Sequence, residues 1–149
     1  MKKLSFLLVL TCFFVLSGYS QTAKIDLQLQ EVLQKSLDDQ NLQELLESDH
    51  AEIPQQLYVA TNGFLPENLH LRYAGQAVQF VDEAPGSHGK PVLEVAKLKI
   101  EDGRAVLKFL YTENKVTVRL SLVENEWMVR SSYIRGKGLF NYTFILLDT

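Results

Sequence analysis

The fold of this chain is decided by residues 92–133, which read VLEVAKLKIEDGRAVLKFLYTENKVTVRLSLVENEWMVRSSY. Apolar and polar residues alternate through most of the stretch, as in Leu107, Phe109 and Tyr111. This period of two places the apolar side chains on one face of a β-strand and the polar ones on the other. The stretch therefore predicts four strands with one buried and one wet face. In the fourth strand the alternating positions are Trp127, Val129, Ser131 and Tyr133.

Three pairs of turn residues divide the stretch into strands that follow one another directly. Asp102-Gly103, Glu113-Asn114 and Glu124-Asn125 each stand between two alternating runs. Asp-Gly is a strong signal for a two-residue hairpin. We expect an antiparallel meander whose register is set by the alternation, because a slip of one residue would turn the apolar side chains to water.

Shorter strands are predicted on both sides of the meander. Upstream, residues 57–61, 69–73 and 77–81 have the composition of strands. Downstream, residues 139–147 are apolar on both parities, so we expect both faces of this last strand to be covered. Gly136-Lys137-Gly138 separates it from the meander and allows a sharp bend or bulge.

Residues 24–49 have the pattern of an amphipathic helical segment. The first set of apolar residues, at spacings of three and four, is Ile25, Leu29, Val32, Leu33 and Leu37. Leu42, Leu45 and Leu46 continue the pattern about one residue out of phase, after a run of poor helix formers. One bent helix and two consecutive helices both fit. We favour two, with Asn41 and Glu44 forming the capping box of the second.

A sheet with one apolar face needs a covering layer, and the helical segment is the layer that this sequence offers. The predicted fold class is therefore α+β, with an N-terminal helix or helix pair packed on a curved antiparallel sheet, a β-meander. This order of elements resembles the cystatin-like and NTF2-like folds, in which a bent sheet wraps a helical segment. Residues 97–130 are also similar to segments of uncharacterised exported bacterial proteins, a resemblance that implies no activity.

The first 20 residues have the three parts of a secretory signal peptide. Lys2-Lys3 forms a positive n-region, residues 4–16 form an apolar run, and Gly18-Tyr19-Ser20 provides a cleavage site before Gln21. The apolar run is shorter than the roughly 20 residues that a membrane-spanning helix needs. Two alternatives stay open, a retained N-terminal anchor and a lipoprotein acylated at Cys12. We favour cleavage.

Cleavage leaves a domain of residues 21–149 in the periplasm or secreted beyond the cell. It removes two of the 15 basic residues and none of the 18 acidic ones, which brings the net charge from −3 to −5. It also removes the one cysteine, and this excludes a disulfide framework and thiolate metal ligands. The mild acidic balance argues against nucleic acid or an anionic membrane surface as a partner. No stretch of the mature chain is long and apolar enough to span a membrane.

The sequence contains no residues at a catalytic or metal-binding spacing. His50, His70 and His88 are far apart, and none belongs to an H-E-x-x-H motif. Asp38-Asp39 and Asp82-Glu83 are sequence neighbours, and neighbouring side chains diverge on helices and strands, which excludes a catalytic dyad. We therefore assign no catalytic residue, no cofactor and no metal.

Two places in the sequence are candidates for an interaction surface. Phe64 and Leu65 lie between turn residues in the loop 62–68, where they would be exposed, although the same residues would also suit a loop that folds back as a plug. Phe140 and Tyr142 lie in the last predicted strand. If that strand is a sheet edge, it would pair with a partner or with a second copy of the chain in a homodimer.

Two functions fit these observations. The first is an exported, non-catalytic domain that binds a protein, a peptide or a small apolar ligand. The alternative is a small cofactor-independent enzyme with a pocket inside the curved sheet, using His70, Tyr73 or Asp82. A large cavity with converging polar groups would favour the enzyme, whereas a solid core would favour a binding module.

Overall fold

The structure is a computed structural model that describes residues 26–48, 56–63, 65, 66, 68–82, 92–136 and, through their backbone, 139–144. The predicted signal peptide, residues 1–20, lies outside these ranges. Within them, two helices are followed by strands, most of which pair antiparallel. The predicted α+β class is confirmed.

Two helices form the N-terminal layer, as the shift in apolar phase indicated. Residues 26–37 form helix α1, and Gln40–Ser48 form helix α2. Asp39 is the N-cap of α2, because its Oδ1 accepts a hydrogen bond from the backbone N–H of Leu42 at 3.2 Å. The capping box predicted from Asn41 and Glu44 is therefore wrong. Asn41 lies inside α2 and donates from its amide to a strand instead.

The strands are β1 (Tyr58–Ala60), β2 (Arg72–Tyr73), β3 (Gln76–Ala77), β4 (Gln79–Val81), β5 (Val92–Glu101), β6 (Arg104–Tyr111), β7 (Asn114–Val123), β8 (Glu126–Gly136) and β9 (Leu139–Phe144). Seven of them form one sheet in the order β4-β1-β5-β6-β7-β8-β9. The strands from β5 to β9 are an antiparallel meander, whereas β1 runs parallel to both β4 and β5. The short β2 and β3 pair separately.

Two of the three turns in the meander lie at the residues that the sequence predicted. Asp102 and Gly103 have φ of 48° and 69°, and Glu124 and Asn125 have φ of 49° and 69°. Positive φ at both central residues matches the right-handed twist of the adjoining strands. The remaining turn is at Thr112-Glu113, one residue earlier than predicted, because Asn114 already pairs with Tyr111.

Two bulges alter the alternation within the meander. The register shifts between Val95 and Lys97 on β5, and again opposite Arg119 and Leu120, where β8 has an additional residue at Arg130. An extra residue shifts the alternation by one position, so that beyond the bulge the residues that would have faced solvent face the core. The prediction that Ser131 and Tyr133 share the face of Trp127 is therefore wrong. Ser132 and Ile134 are the buried residues beyond the bulge.

The core lies between the helices and one face of the sheet. Its largest fully buried side chains are Trp127, Tyr111, Phe109, Leu33, Leu37, Leu42, Leu46, Leu93, Leu107 and Leu120. Each large apolar side chain removed from water contributes about 1.5–3 kcal/mol, so this layer supplies much of the stability. In the described ranges, none of the helices has the length and apolarity that a membrane crossing requires.

Candidate functional site: the open face of the sheet

The face of the sheet opposite the core is built by alternate residues of four strands. Leu107 and Phe109 of β6 are buried in the core, so Lys108 between them points to the other side. Lys108 lies opposite Thr117 of β7, which lies opposite Tyr133 of β8. We call this surface the open face. Its members are Glu94, Lys97, Lys99, Glu101, Arg104, Val106, Lys108, Leu110, Lys115, Thr117, Arg119, Ser121, Glu126, Met128, Ser131, Tyr133 and Arg135.

The open face and the helical layer carry opposite charge balances. The cationic side chains of the open face are Lys97, Lys99, Arg104, Lys108, Lys115, Arg119 and Arg135, against the carboxylates of Glu94, Glu101 and Glu126. Arg130, at the bulge, also reaches this face, where its Nε donates to the hydroxyl of Ser121 at 3.1 Å. The helical layer, residues 26–48, has the opposite balance, with Lys35 against the carboxylates of Asp26, Glu31, Asp38, Asp39, Glu44 and Glu47. An acidic chain therefore presents one basic surface.

Like charges are placed directly opposite each other on this surface. Lys97 of β5 is the cross-strand partner of Lys108 on β6, and Lys115 of β7 is the partner of Arg135 on β8. All four residues are exposed. Like charges in directly opposed positions destabilise a sheet. The two pairs thus lower the stability of the sheet by electrostatic repulsion, and the packing of the core does not require them.

The carboxylates of the open face do not neutralise these four cations. Glu101 pairs with Lys99 at 2.7 Å, and Glu126 pairs with Lys35 of α1 at 2.8 Å. Glu94 accepts a hydrogen bond from the amide of Asn62 at 3.0 Å. Within the described residues, none of the four cations in the opposed pairs has an ion pair to a carboxylate.

Tyr133 of β8 lies opposite Thr117 on the open face, near the cations Arg119 and Lys108. The guanidinium carbon of Arg119 stands 5.4 Å from the centroid of the Tyr133 ring, a cation–π contact. The pKa of Tyr133 is lowered below its usual value, first by a hydrogen bond with Thr117 and then by the charges of Arg119 and Lys108. This spot therefore stabilises negative charge.

A buried polar cluster joins α2 to the core side of β8. Asn41 donates from Nδ2 to the hydroxyl of Ser132, and Asp39 is hydrogen-bonded to the same hydroxyl. Burial raises the pKa of Asp39, and the hydrogen bonds from Ser132 and from the backbone N–H groups of Leu42 and Asn41 oppose that rise. Because these groups satisfy one another and cap a helix, the cluster is a structural element that fixes α2 on the sheet.

A depression of about 580 Å³ lies between α1 and the segment 69–78, and His70 lines it together with Gln34 and Arg72. The side-chain amide of Gln34 accepts from the backbone N–H of Arg72 at 2.9 Å and donates to its carbonyl at 3.0 Å. These bonds occupy the amide, so it holds the segment 69–78 in place and is not available to a ligand.

The three residues of the enzyme alternative are not brought into one site. His70 is exposed and lines that depression, but neither Tyr73 nor Asp82 does. Asp82 accepts a hydrogen bond from the hydroxyl of Thr61 at 3.2 Å. Tyr73 is 5 % exposed, and the pKa of its hydroxyl is raised by burial and then by the charge of Glu47.

Of the four residues predicted for an interaction surface, the structure describes the side chain of Leu65. Leu65 is 7 % exposed and belongs to the core, as expected for a loop that folds back as a plug. Phe64 and the side chains of Phe140 and Tyr142 lie outside the described residues, so the surface there stays a prediction. The backbone of β9 is the last strand of the sheet, and no described strand pairs with its outer edge.

The comparisons with known proteins add no identity to this site. No family model matches the chain, and neither a curated protein nor a solved structure matches it. Among the residues that the structure describes, no three His, Cys, Asp or Glu side chains are grouped as a metal site would require.

Sequence reasoning did not identify the open face, although the signal was available. Lys97, Lys99 and Lys108 alternate with apolar residues, and Lys115 and Arg119 do so on the next strand. The alternation identified these positions as wet. What the alternation left out is that cations outnumber carboxylates on this face, because the net charge of the whole chain conceals a basic surface on an acidic protein.

Proposed function

We propose that this chain is an exported, non-catalytic domain of the cell envelope or the cell exterior that binds a protein or a peptide. The observation that carries the proposal is the contrast between the two faces of one sheet. The core face is filled by Trp127, Tyr111, Phe109 and the helices, whereas the open face is charged and most of its cations are exposed. A filled interior favours binding at the surface over an internal ligand pocket.

Export is supported by the N-terminal sequence. The positive n-region, the apolar run and the small residues before Gln21 have the order of a secretory signal peptide. The mature chain would then depend on its core for stability, since it has no cysteine for a disulfide. The extent of the buried apolar layer is consistent with that requirement.

The proposal is tested by capture from an envelope extract with the chain as immobilised bait. The expected result is a partner that excess free chain displaces, together with an unchanged melting temperature in a screen of small apolar ligands. The matched control bait carries Phe109→Ala, which disrupts the core and should lose the partner. Displaceable capture would support the proposal. Capture of nothing, together with ligands that raise the melting temperature, would overturn it.

The alternative, a small cofactor-independent enzyme, rests on the depression lined by His70. If it were correct, His70→Ala would abolish an activity in extracts that contain the chain and would leave the melting temperature unchanged. The same substitution is not expected to affect capture of a partner, because His70 lies beside α1 and not on the open face.

A further inference from the structure

We propose that the partner presents an extended, carboxylate-rich polypeptide segment, and that the open face binds it through the opposed pairs Lys97–Lys108 and Lys115–Arg135. This inference rests on the proposed function and adds the chemistry of the partner. Its contact residues lie on four successive strands, β5 to β8.

The first support is the electrostatic cost of the pairs. Two like-charged pairs in directly opposed positions of one sheet face weaken the fold, and neither pair is needed to fill the core. Carboxylates placed between the members of each pair would replace the repulsion with attraction. Residues that reduce stability and become favourable on binding are typical of a functional surface.

The second support is the geometry of the four cations. Lys97, Lys108, Lys115 and Arg135 occupy β5, β6, β7 and β8 in order. Because Lys108 pairs with Thr117, the second pair is displaced by two residues along the strands, and the four cations form a diagonal line. Three spacings of about 4.8 Å and an offset of about 7 Å along the strands make that diagonal roughly 16 Å long. An extended peptide advances about 3.3 Å per residue, so about five residues cover the line. A short acidic segment that crosses the strands therefore fits all four cations.

The third support is that the open face lacks the features by which proteins bind single-stranded nucleic acids or anionic membranes. Single-stranded nucleic acids stack their bases on exposed aromatic faces. Tyr133 is the aromatic side chain described on the open face, and Arg119 stands over its ring. Membrane surfaces bind proteins that also insert apolar side chains. The apolar members of the open face, Val106, Leu110 and Met128, are half-buried, and the large apolar side chains described as exposed, Leu27 and Leu122, lie elsewhere. Separate carboxylates on a flexible backbone need neither feature.

The environment of Tyr133 agrees with an anionic occupant. The pKa of the Tyr133 hydroxyl is lowered first by the hydrogen bond with Thr117 and then by the charges of Arg119 and Lys108, and the field of these two cations favours negative charge beside Tyr133. Tyr133 also lies next to Arg135 along β8, so this field adjoins the line of cations.

The test measures binding of fluorescent oligo-glutamate, about 12 residues long, to the purified chain by fluorescence anisotropy at low salt. Two variants remove the pairs, Lys97→Gln with Lys108→Gln and Lys115→Gln with Arg135→Gln. The matched control, Arg72→Glu, makes the same change in net charge at an exposed position away from the open face. We expect each pair variant to weaken binding about tenfold, a change of about 1.4 kcal/mol, and the control to weaken it less than about twofold. Circular dichroism verifies that all three fold.

A second measurement separates a binding role from a general charge effect. Without the probe, both pair variants should melt at a higher temperature than the wild type. With saturating probe, the wild type should gain more in melting temperature than they do. Equal weakening by the control variant would overturn the proposal, and so would equal binding of oligo-glutamine. Tighter, pair-dependent binding of a single-stranded oligonucleotide would overturn the choice of a polypeptide.

The two proposals fail in different ways. If the envelope partner is captured equally by the wild type and by both pair variants, the binding function stands and the acidic-segment inference fails. If the chain elutes as a larger species whose size falls in the pair variants, the acidic helical layer of a second copy is the occupant, and the inference of a separate partner is overturned.

Discussion

Lys97 and Lys108 lie directly opposite each other across β5 and β6, both exposed, with no carboxylate of the described residues paired to either. The same arrangement recurs two strands further on, at Lys115 and Arg135. A sheet face that served only solubility would be more stable with opposite charges in these positions. The relationship therefore connects the stability of the sheet with the surface proposed to bind a partner.

Reversing one charge of a pair should stabilise the protein. Lys108→Glu replaces a repulsion with an attraction to Lys97, and we expect the free energy of unfolding to rise by about 0.2–1 kcal/mol at low salt. The gain should shrink in high salt, because exposed charges are screened. Urea unfolding at two ionic strengths measures both effects. A loss of stability at low salt would contradict the stated electrostatic cost.

Asp39 should make stability depend on pH in a defined direction. Its pKa is raised in the folded protein, mainly by burial, so protonation favours the folded state. The stabilisation is fully present below about pH 4, the unfolded carboxyl range, and is lost as the pH rises through the raised pKa. Asp39→Asn keeps a capping side chain and cannot titrate.

The measurement for Asp39 is urea unfolding of the wild type and of Asp39→Asn between pH 3 and pH 7. We expect the stability of the wild type relative to the variant to fall as the pH rises. Asp39→Ala is the control for the cap itself, and it should be less stable than Asp39→Asn by about 1 kcal/mol at every pH. A difference between wild type and Asp39→Asn that does not change with pH would show that the buried carboxyl does not titrate differently on folding.

Gly136 should resist substitution because of one neighbour. A Cβ at this position would collide with the side-chain amide of Asn114, the residue that begins β7. We expect Gly136→Ala to destabilise the protein by about 1 kcal/mol, as small insertions into packed sites do. Asn114→Ala in the same chain should recover most of the loss. A double-mutant cycle by thermal unfolding tests this, and simple additivity would show that the two residues do not interact.

The single tryptophan provides a direct readout of the core. Trp127 is 1 % exposed, so we expect blue-shifted fluorescence that moves to longer wavelength on unfolding. Phe109→Ala removes another fully buried ring of the same core and should cost about 3–5 kcal/mol. Leu122→Ala, at a side chain that is 36 % exposed, is the matched control and should cost much less. Similar losses in both variants would contradict the described core.

The mature N-terminus is expected at Gln21. Intact-mass measurement of the chain from the periplasm or the culture medium should show loss of residues 1–20. Cys12→Ala should leave both the mass of the mature chain and its location unchanged. A lipid-modified species that disappears in this variant would instead identify a lipoprotein, and an uncleaved chain in the membrane fraction would identify a retained anchor.

Local rules explain why much of the fold was predictable. Alternation in residues 105–122 determines strands with one apolar face, and Asp102-Gly103 determines a hairpin, because both depend on neighbouring residues alone. The phase shift after Leu37 likewise indicated two helices. The sequence by itself thus determined an α+β chain with a meander and a covering helical layer.

Only the tertiary structure decided the features that depend on residues far apart in sequence. The bulge at Arg130 turns Ser132 to the core and Tyr133 to the open face. The local sequence does not predict this bulge, because it depends on how β8 pairs with β7. Asp39 and not Asn41 caps α2, and the amide of Asn41, inside the helix, donates to Ser132, which is distant in sequence. The opposed pair Lys97–Lys108 also exists only through strand register. Alternation places each lysine in water, but pairing across strands is what brings the two like charges together.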